Sequence, residues 1–597
     1  MTGLIAIVTL LTRAVSPAAV DIWCDTHLAE VTPYLFGSGD EMDEDFVPLA
    51  GLTPMVGEAG VTMLRMGGIA NEYYDWEGND YNGVRYIDLL DTLIIPQNVQ
   101  TSMDDFLQMC EANGIEPILS VNFQINDPGK AARLVEYANG DQSTPMGQVR
   151  AARGHPEPYD VVYWQIGNEP DISGLQIPIG EYTWTMYRHF GLPFGEWSGT
   201  DSVFATPEQF AQLADTYADA MRAASPIPVE IATMSLAGDL LWLKETVETC
   251  GDNTDWVDLH YYPSGTWETA PPDTSDYIEW LMSIDSGPMA FDQWYQSMVD
   301  SLDSFSGGAD IDACVMEYNA IVVNPDLTWW NYIDGLFVAD CLGHLAEQGC
   351  PMAGCYSIFE GSETDPNTMF GMIRGDTLSM RATAWVMKLF SQQLSGTMVL
   401  SESDASGSGY GLDVHAALRD DGKLCVMAVN KHLTEDFQTS IYLHGYTSSG
   451  YSEVRDITCN APMAAPSNGT TGIEYRGGLW GTAGGFSYTF PAASVTCLLV
   501  HPEGSGTSQS TPIPALADVH PVPSTGTLSV TLVLEVPSPV ELALFDTSGR
   551  AALILDTGVL EPGTHSIELD TGGLPSGSYV LHASAAAGTS TRKLVVL

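Results

Sequence analysis

The strongest constraint on the fold is a regular alternation of two kinds of segment between about residue 31 and residue 392. Short apolar runs alternate there with longer amphipathic stretches, which is the order expected for parallel strands joined by helices. The candidate strands end near Phe36, Met66, Asn122, Asn168, Met234, Tyr262, Tyr318 and Phe359. Eight such units predict an α/β fold, a closed (β/α)8 barrel. An open doubly wound sheet is the alternative, but no glycine-rich phosphate loop follows the first strand.

One connection between strands has an especially clear helical pattern. Residues 207–224, PEQFAQLADTYADAMRAA, begin with proline in the first turn and carry apolar residues at helical spacing. This segment therefore predicts a helix between the fourth and fifth strands.

The charge of the chain limits its partners. Its 597 residues include 77 Asp and Glu but only 21 Lys and Arg, which gives a formal net charge of −56. Such a charge repels phosphate backbones and anionic lipid, so we expect neither nucleic acid nor polyanionic substrates as partners. With 45% apolar residues, the chain can form more than one hydrophobic core. No apolar run after the N-terminus is long enough to span a membrane.

The N-terminal residues resemble a secretory signal. The apolar run GLIAIVTLL at residues 3–11 precedes small residues at 14–19, although the usual basic leader is absent. We expect a signal segment at residues 1–20, with a buried first strand as the alternative. The barrel domain would then cover residues 21–392, unless residues 21–30 join the following domain.

The pattern changes after Ser391 to alternating strands separated by Gly and Asn turns. Asp421-Gly422 is a typical hairpin turn, and residues 393–502 predict a β-sandwich. Residues 503–527 are rich in Ser, Pro and Gly, which predicts a linker. Residues 528–597 predict a last, small all-β domain.

The ten cysteines show neither paired CxxC spacing nor a Cys/His cluster of the zinc type. We therefore expect no metal, and nothing in the sequence indicates an organic cofactor. Cys350 and Cys355 flank a predicted strand and could form a disulfide in an exported protein, but buried free thiols are an equal expectation.

Two carboxylates follow apolar runs at predicted strand ends. The stretch VVYWQIGNEPD ends with Asn168 and Glu169 side by side, and IDACVMEYNA contains Glu317. Active sites of parallel barrels lie at the carboxyl ends of the strands. A pair of carboxylates there is the catalytic requirement of most glycosidases, so the sequence predicts glycoside hydrolysis.

The run EPILSVNFQINDPGKAARLVEYANG, followed by VRAARGHPEPYDVVYWQIGNEPD, resembles the central region of glycoside hydrolase family 51. That family contains α-L-arabinofuranosidases and related retaining enzymes, and the resemblance covers most of residues 31–500. It implies that Glu169 is the acid/base and that Asn168 binds the sugar 2-hydroxyl. The sequence Glu317-Tyr318-Asn319 matches the Glu-Trp-Asn motif of the family, which implies that Glu317 is the nucleophile. The family often forms hexamers, so the resemblance also allows a homo-oligomer.

The resemblance extends to residues around the carboxylates. Arg65 precedes GGIANEYYDW, a stretch similar to the family's Gly-Gly stretch. We expect Arg65 to form a hydrogen bond with Glu317. The alternative is an ordinary salt bridge at the end of the barrel. Glu41 lies in the acidic run DEMDED, so the alternative to substrate binding is a solvated loop. For His260 the alternative is a structural role, which is more common for a lone histidine. The expected substrate-binding residues are Glu41, Arg65, Asn71, Tyr74, Trp76, Asn122, Asn168, His260, Tyr262 and Asn319.

Aromatic residues crowd the loops after two of the strands and could pack on sugar rings or simply on the barrel. They are Trp184, Phe190, Phe194, Trp197, Trp329 and Trp330. The chain also departs from the family pattern. Ile69 stands where an Asn usually follows the Gly-Gly pair, and strand eight, MAGCYSIFEG, lacks the family's Ala-Gln and Val-Asn pattern. Both departures affect the rim around the sugar and leave its identity open.

The last domain is similar to the type IX secretion sorting domain in its DTSGR turn, its LPSGSY strand and its closing KLVV. A generic accessory β-domain is the alternative. Together the resemblances predict a secreted or cell-surface α-L-arabinofuranosidase that acts with retention on side chains of plant or algal polysaccharides and contacts the secretion machinery through its C-terminus. The alternatives are an endo-β-glycanase of the same clan and a non-catalytic carbohydrate-binding surface protein.

Overall fold

The structure is a computed structural model that divides into two compact units, Met1–Val500 and His501–Leu597. Each unit has its own hydrophobic core. The described residues are 18–40, 51–68, 70–79, 101–179, 182–185, 190, 203–262, 290–320, 332–360, 370–374, 378–406, 410–459, 462, 472–480, 482, 484–503, 515–520, 526–534, 538–546, 551–560, 563–585 and 588–596.

The part of the first unit up to residue 393 alternates strands and helices. Its strands are β1 (Ala18–Val31), β2 (Gly37–Asp40), β3 (Met63–Met66), β4 (Glu116–Val121), β5 (Tyr163–Ile166), β6 (Gln176–Ile179), β7 (Tyr182–Thr185), β8 (Glu230–Leu236), β9 (Trp256–Tyr261), β10 (Asp312–Tyr318), β11 (Ala353–Tyr356), β12 (Phe359–Glu360) and β13 (Ile373–Arg374). Its helices are α1 (Leu52–Glu58), α2 (Met103–Asn113), α3 (Pro128–Asn139), α4 (Pro145–Ala152), α5 (Pro207–Ala224), α6 (Leu240–Cys250), α7 (Phe291–Ser306), α8 (Tyr332–Glu347) and α9 (Ala382–Gln393). Short 3-10 turns cover Pro33–Leu35, Ala70–Tyr73, Pro170–Ile172 and Gly251–Asn253.

Eight parallel strands close into a barrel in the order β10-β11-β2-β3-β4-β5-β8-β9. This confirms the predicted (β/α)8 barrel. Side chains that point inward fill the centre of the barrel, among them Met63, Ile118, Trp256 and Met316. The outer faces of the strands pack on the helices in the largest core of the molecule. The barrel is therefore a packed scaffold, and only the ends of its strands are free to build a site.

Two of the predicted strand ends are wrong. Phe36 precedes β2 rather than ending it, and Phe359 lies in β12, which pairs with β13 outside the barrel. The eighth barrel strand, β11, already ends at Tyr356, where its register against β2 pairs Tyr356 with Gly39. Phe36 follows the 3-10 turn at Pro33–Leu35 and comes before its strand, whereas the buried residues Ile358 and Phe359 continue the apolar run beyond the end of β11. An apolar run alone therefore does not locate the end of a strand.

The predicted helix over residues 207–224 is confirmed as α5. Thr206 caps it by accepting the backbone N–H of Gln209, while the Gln209 side chain bonds the backbone of Thr206 in return. Such a capping box satisfies backbone groups that the first turn leaves unpaired. Phe210, Leu213 and Tyr217 form part of its buried face against the barrel.

The rest of the first unit is one hydrogen-bonded sheet of nine strands. Besides β1 it contains β14 (Gly396–Ser403), β15 (Leu412–Leu418), β16 (Leu424–Asn430), β17 (Phe437–His444), β18 (Ser448–Thr458), β19 (Glu474–Trp480), β20 (Gly485–Phe490) and β21 (Ser494–Pro502). Their order is β19-β18-β21-β16-β15-β14-β1-β17-β20. Strands β18 and β20 lie near opposite ends of this order yet contact each other, so the sheet folds around a core in the manner of a sandwich. The predicted hairpin joins β15 and β16, where Leu418 pairs with Leu424.

Strand β1 lies inside this sheet, antiparallel to β14 and parallel to β17. Residues 21–30 thus belong to the sheet rather than to the barrel. The strand begins at Ala18, and Val20 is buried, so the last residues of the predicted signal segment are structural. Residues 1–17 lie outside the described part of the chain.

The second unit is all β. It contains β22 (Ala515–His520), β23 (Thr527–Leu534), β24 (Ser538–Asp546), β25 (Ala551–Leu560), β26 (Gly563–Asp570), β27 (Gly577–Ala585) and β28 (Gly588–Val596). They form sheets β22-β23-β26 and β25-β24-β27-β28. Because β22 pairs with β23, the predicted linker at 503–527 is wrong at residues 515–520. The short run ALADVH forms a strand despite the Ser, Pro and Gly residues around it.

All ten cysteines are buried and free, including Cys350 and Cys355. No helix in the described part of the chain combines the length and the hydropathy needed to cross a membrane.

Candidate active site

The carboxyl ends of β5 and β10 bring the two predicted carboxylates together. Glu317 is the second-last residue of β10, and its register partner on the neighbouring strand β9 is His260. Glu169 follows β5 after the turn formed by Gly167 and Asn168. Both glutamates therefore reach the same mouth of the barrel from strands four and seven.

The turn after β5 has an uncommon backbone that aims Glu169. Gly167 has φ +73°, and a Cβ atom at this position would lie 2.3 Å from the Phe123 ring. Glu169 itself has φ +43° and ψ +50°, a left-handed conformation that costs a non-glycine residue about 1–2 kcal/mol. The chain thus needs glycine at 167 and holds Glu169 in a conformation that its surroundings must stabilise.

Glu317 is held by three side chains. Arg65 Nη1 donates to its Oε1 at 2.6 Å, and the Tyr262 hydroxyl donates to its Oε2 at 2.9 Å. His260 Nδ1 lies 3.3 Å from the same Oε2. Burial and the charge of Glu317 raise the pKa of Tyr262 well above its usual value, so this hydroxyl keeps the proton that it donates. The predicted bond between Arg65 and Glu317 is present.

Arg65 is fully buried and connects four side chains. Besides Glu317, it donates to Gln165 Oε1 at 2.6 Å and to Asn168 Oδ1 at 2.7 Å, and its Nε lies 3.4 Å from Asp258 Oδ2. Burial lowers the pKa of Arg65, but the charges of Glu317 and Asp258 outweigh this effect and raise it. The guanidinium of Arg65 therefore orients both Glu317 and Asn168, the residue next to Glu169.

His260 links the two glutamates. Its Nδ1 lies 2.7 Å from Glu169 Oε1, and its Nε2 lies 2.9 Å from Ser235 Oγ and 3.2 Å from Asp258 Oδ2. Burial lowers the pKa of His260, but the charges of Glu317 and Asp258 and its hydrogen bonds raise it well above the usual value. These charges and hydrogen bonds favour the protonated imidazole, in which both ring nitrogens donate.

The two glutamates are close to each other. One carboxylate oxygen of Glu169 and one of Glu317 lie within 4.8 Å, together with a ring nitrogen of His260. Although these three residues have the composition of a metal site, both oxygens of Glu317 already accept from Arg65 and Tyr262. The arrangement is that of a hydrogen-bonded carboxylate pair.

Asp258 was not predicted from the sequence. It is fully buried on β9, two residues before His260 and on the same face of the strand. Its Oδ1 accepts the backbone N–H of Met316 at 2.9 Å. Burial raises the pKa of Asp258, but the charges of His260 and Arg65 lower it below its usual value. The sequence feature that could have identified Asp258 is its alternation with His260 in an otherwise apolar strand.

Glu72 and Asp171 are two further carboxyl groups that the sequence did not single out. Glu72 is fully buried, and its Oε2 accepts the backbone N–H of Phe123 at 3.2 Å. Burial raises the pKa of Glu72 well above its usual value, although the backbone N–H groups of Phe123, Gln124 and Asn168 oppose the shift. Glu72 thereby ties the turn after β3 to the loops after β4 and β5.

Asp171 anchors the segment that follows Glu169. Its carboxylate accepts the backbone N–H groups of Ala237, Gly238 and Asp239 at 2.9–3.0 Å. Burial raises the pKa of Asp171 to about 6, although these hydrogen bonds oppose the shift. The loops after β5 and β8 are therefore joined beside the glutamates.

Four of the predicted substrate-binding residues line a cavity of their own. Asn71, Tyr74, Trp76 and Asn122 line a cavity next to α3 that contains neither glutamate. The Trp76 indole donates to the backbone of Lys130 at 3.4 Å. Tyr74 and Trp76 are buried in this lining, and their contact with the sugar stays a prediction.

Some of the remaining predicted residues lie in the described part of the chain, and others lie outside it. Asn319 donates to the backbone oxygen of Tyr356 and so connects the ends of β10 and β11. Phe190 packs on Phe123, with ring centroids 5.6 Å apart. Of Trp184 only the strand is described. Glu41, Ile69, Phe194, Trp197, Trp329 and Trp330 lie outside the described residues.

Family models match two parts of the chain. Residues 61–279 match the model described as alpha-L-arabinofuranosidase 1 domain, and residues 518–597 match the secretion system C-terminal sorting domain. Both resemblances inferred from the sequence motifs are confirmed.

Individual proteins agree with these matches. "Probable alpha-L-arabinofuranosidase C" of Aspergillus niger is 25% identical over 445 residues, which are 67% of this chain and 77% of that protein. A solved structure of a family 51 alpha-L-arabinofuranosidase from Bifidobacterium longum has a TM-score of 0.61 at 18% identity and covers 82% of this chain and 100% of its own. A bifunctional glucanase-xylanase from a metagenome library has a TM-score of 0.57 at 15% identity, covering 82% and 99%. The two structures share the fold of this chain.

Proposed function

We propose that this chain, a glycoside hydrolase with an α-L-arabinofuranosidase domain and a C-terminal secretion sorting domain, is a retaining α-L-arabinofuranosidase acting on side chains of plant or algal polysaccharides. The observation that carries the proposal is the pair of carboxylates whose oxygens lie within 4.8 Å at the mouth of the barrel. Retaining enzymes place their carboxyl groups about 5–5.5 Å apart, whereas inverting enzymes leave room for a water between them.

In the first step, a Glu317 oxygen attacks the anomeric carbon while Glu169 donates its proton to the glycosidic oxygen. The bond between that carbon and that oxygen breaks, the alcohol leaves, and the sugar is esterified to Glu317. Arg65 and Tyr262 keep Glu317 ionised and oriented before the attack, since both donate to its oxygens.

In the second step, Glu169, now a carboxylate, takes a proton from a water molecule. The water oxygen attacks the anomeric carbon from the face that the alcohol left, and the ester bond to Glu317 breaks. Two inversions give net retention, and both carboxyl groups return to their starting protonation states. His260 supports both roles because its Nδ1 faces both glutamates.

The C-terminal sorting domain marks the chain for secretion or for attachment to the cell surface. A polysaccharide outside the cell is a suitable substrate for such an enzyme. The net charge of −56 fits a neutral glycan better than a polyanionic one.

The test is hydrolysis of aryl glycosides by the full chain. We expect a rate on the α-L-arabinofuranoside and none above background on the β-D-xyloside, β-D-glucoside or β-D-galactoside. Glu317→Gln should lose this rate, whereas Glu248→Gln, at an exposed position of α6, should keep it. Full activity of Glu317→Gln would refute the assigned nucleophile.

The stereochemistry provides a second test of the same proposal. Proton NMR of the first-formed sugar should show the anomer of the substrate, because a double displacement retains configuration. An inverted first product would exclude Glu317 as a nucleophile.

An endo-acting β-glycanase is the second candidate, because the fold is shared with a glucanase-xylanase and the rim departs from the family pattern. It predicts no rate on the arabinofuranoside and shortening of xylan or glucan chains. A binding protein without activity predicts affinity for polysaccharide and no hydrolysis of any substrate.

A further inference from the structure

A second cluster of titratable side chains, separate from the carboxylate pair, lies where α8 packs on the nine-stranded sheet. Asp340 and His344 are one helical turn apart on α8, and His415 is on β15. Asp340 is fully buried, and the two histidines are 6% and 2% exposed. Their nearest polar atoms all lie within 4.8 Å of one another. The catalytic mechanism uses none of them.

Each histidine is oriented by a carboxylate on its Nδ1 side. His344 Nδ1 lies 3.0 Å from Asp292 Oδ1, and His415 Nδ1 lies 2.9 Å from Glu347 Oε1. A carboxylate at one ring nitrogen fixes the tautomer in which the other nitrogen presents a lone pair, which is the usual second-shell arrangement of metal-bound histidines. Both Nε2 atoms consequently face the Oδ1 atom of Asp340.

The distances fit ligands of a shared ion better than hydrogen bonds. Nε2 of His344 is 3.9 Å and Nε2 of His415 is 3.5 Å from Asp340 Oδ1. Both separations exceed the usual N–H···O range of about 2.7–3.2 Å. Ligand atoms bound at about 2.0–2.1 Å to a tetrahedral zinc ion are roughly 3.3 Å apart. The Nε2 atom of His344 is buried and has no hydrogen-bond partner in the described part of the chain.

The packing leaves room for the His415 ring at this point. Gly343 lies on α8 next to His344, and a Cβ atom there would come within 2.1 Å of the His415 ring. Glycine at 343 thus lets the ring lie directly against the helix, where its Nε2 reaches Asp340.

The charges of the cluster also favour a cation. Among the described residues, Asp292, Asp340, Glu347 and Asp413 are grouped with the ammonium of Lys431, which bonds both Asp340 and Asp413. With neutral imidazoles, three negative charges remain among these described residues. A divalent cation would leave a net charge of −1. Protonation of both imidazoles would balance the charge equally. In the described part of the chain, however, Nε2–H of His344 would then have no acceptor, and that of His415 would have only a long contact of 3.5 Å to Asp340 Oδ1.

We propose that Asp340, His344 and His415 bind one divalent metal ion of the zinc class, which fastens α8 to the nine-stranded sheet. Two imidazoles and one carboxylate suit zinc and its neighbours in the first transition row better than calcium or magnesium, which prefer oxygen ligands. Lys431 holds the second oxygen of Asp340 and so turns Oδ1 toward the ion. The site is structural, since it lies outside the carboxylate pair.

The experiment measures metal content of the full chain. The protein is stripped with a chelator, incubated with zinc chloride, passed through a desalting column and analysed by mass spectrometry of the elements. We expect one zinc per chain in the parent and in His444→Gln, whose histidine is exposed on β17 of the same sheet. His344→Gln and His415→Gln should bind zinc at least tenfold more weakly. No retained zinc in the parent would refute the proposal.

Two controls separate this site from other places that could hold zinc. The double variant Glu169→Gln, Glu317→Gln removes both glutamates near His260 and should still retain one zinc. Cobalt bound to the parent should show the visible bands of a tetrahedral site without the charge-transfer band of cysteine ligands. Should the histidine variants fail to fold, these two results still decide the question. Loss of zinc in the double variant, or a cysteine charge-transfer band, would overturn the assignment.

Discussion

Arg65 shows how much of the site depends on one side chain. It is the only residue in the described part of the mouth that bonds Glu317 and Asn168 together, and it also bonds Gln165. A planar guanidinium can donate in several fixed directions, which a lysine cannot do. The sequence indicated the bond to Glu317 but not the bonds to Gln165 and Asp258, because those partners lie on other strands at positions that only the barrel register brings near.

Glu169→Ala should separate substrates by their leaving groups. A glycoside with a poor leaving group needs protonation, so its rate of glycosylation should fall by about 10²- to 10⁴-fold. A dinitrophenyl glycoside leaves without a proton and should lose much less in the same step. Single-turnover kinetics on both substrates measures the effect.

Glu208→Ala, an exposed glutamate on the first turn of α5, is the matched control and should leave both rates unchanged. Equal losses on the two substrates in Glu169→Ala would contradict the acid role.

At the level of single elements, strand ends and helices differ in how well the sequence predicts them. Helix α5 matches its prediction because capping residues and periodicity both lie within the segment. The ends near Phe36 and Phe359 were misplaced because the register between β11 and β2 determines where those strands stop. The metal ligands proposed here were missed for a related reason. His415 is 71 residues after His344, and no spacing rule joins a helix to a distant strand.

Gly167→Ala should disturb the end of β5 more than the fold. Alanine at φ +73° costs about 1–2 kcal/mol, and its Cβ would also press on Phe123 and shift Glu169. We expect kcat to fall by about 10- to 100-fold, as for small misplacements of a catalytic group.

Gly114→Ala is the control for this variant. Gly114 has φ +66°, and an added Cβ there meets nothing within 4 Å. It should lose similar stability in thermal unfolding but keep its kcat. If both variants retained full kcat, the turn would not position Glu169.

Asp334 should make the stability of α8 depend on pH. Burial raises the pKa of Asp334 to about 7, with Arg381 opposing the shift, whereas the unfolded carboxyl group has a pKa near 3.8. Its contribution to stability is therefore present below pH 3.8 and is lost as the pH rises through 7. Asp334→Asn should gain stability over the parent at pH 8, by at most about 4 kcal/mol, and by a smaller amount, at most about 1.6 kcal/mol, at pH 5.

Urea denaturation at the two pH values measures this difference. Asp300→Asn, at an exposed position of α7, should show the same small effect at both. An equal effect of Asp334→Asn at pH 5 and pH 8 would show that the carboxyl group titrates normally.

At the scale of the whole molecule, the carboxylate pair and the sorting domain belong to different units. The second unit has its own core, which includes Leu528, Leu542 and Leu581. The sequence predicted this division from composition and motifs, and it erred at β22 because a strand of six residues is surrounded by linker-like residues.

A chain that stops after residue 503 should keep its activity but should no longer be secreted. We expect kcat/KM on the arabinofuranoside within about twofold of the full chain, because each unit buries its own core. The same truncation should leave the protein inside the producing cell, which fractionation and activity assays would detect. Loss of activity on truncation would mean that the second unit supports the first.

The position of β1 has a consequence for how the protein is made. Its two neighbours in the sheet, β14 and β17, begin at Gly396 and Phe437, so neither exists when Ala18–Val31 is synthesised. At about 5–20 residues per second, the ribosome needs roughly 20–80 s to produce the partners that cover this strand. Val20 and Ile22, which end up buried, stay exposed on the nascent chain for that time. A strand that is translated early is thus among the last to be protected, and a holding chaperone is expected to bind there.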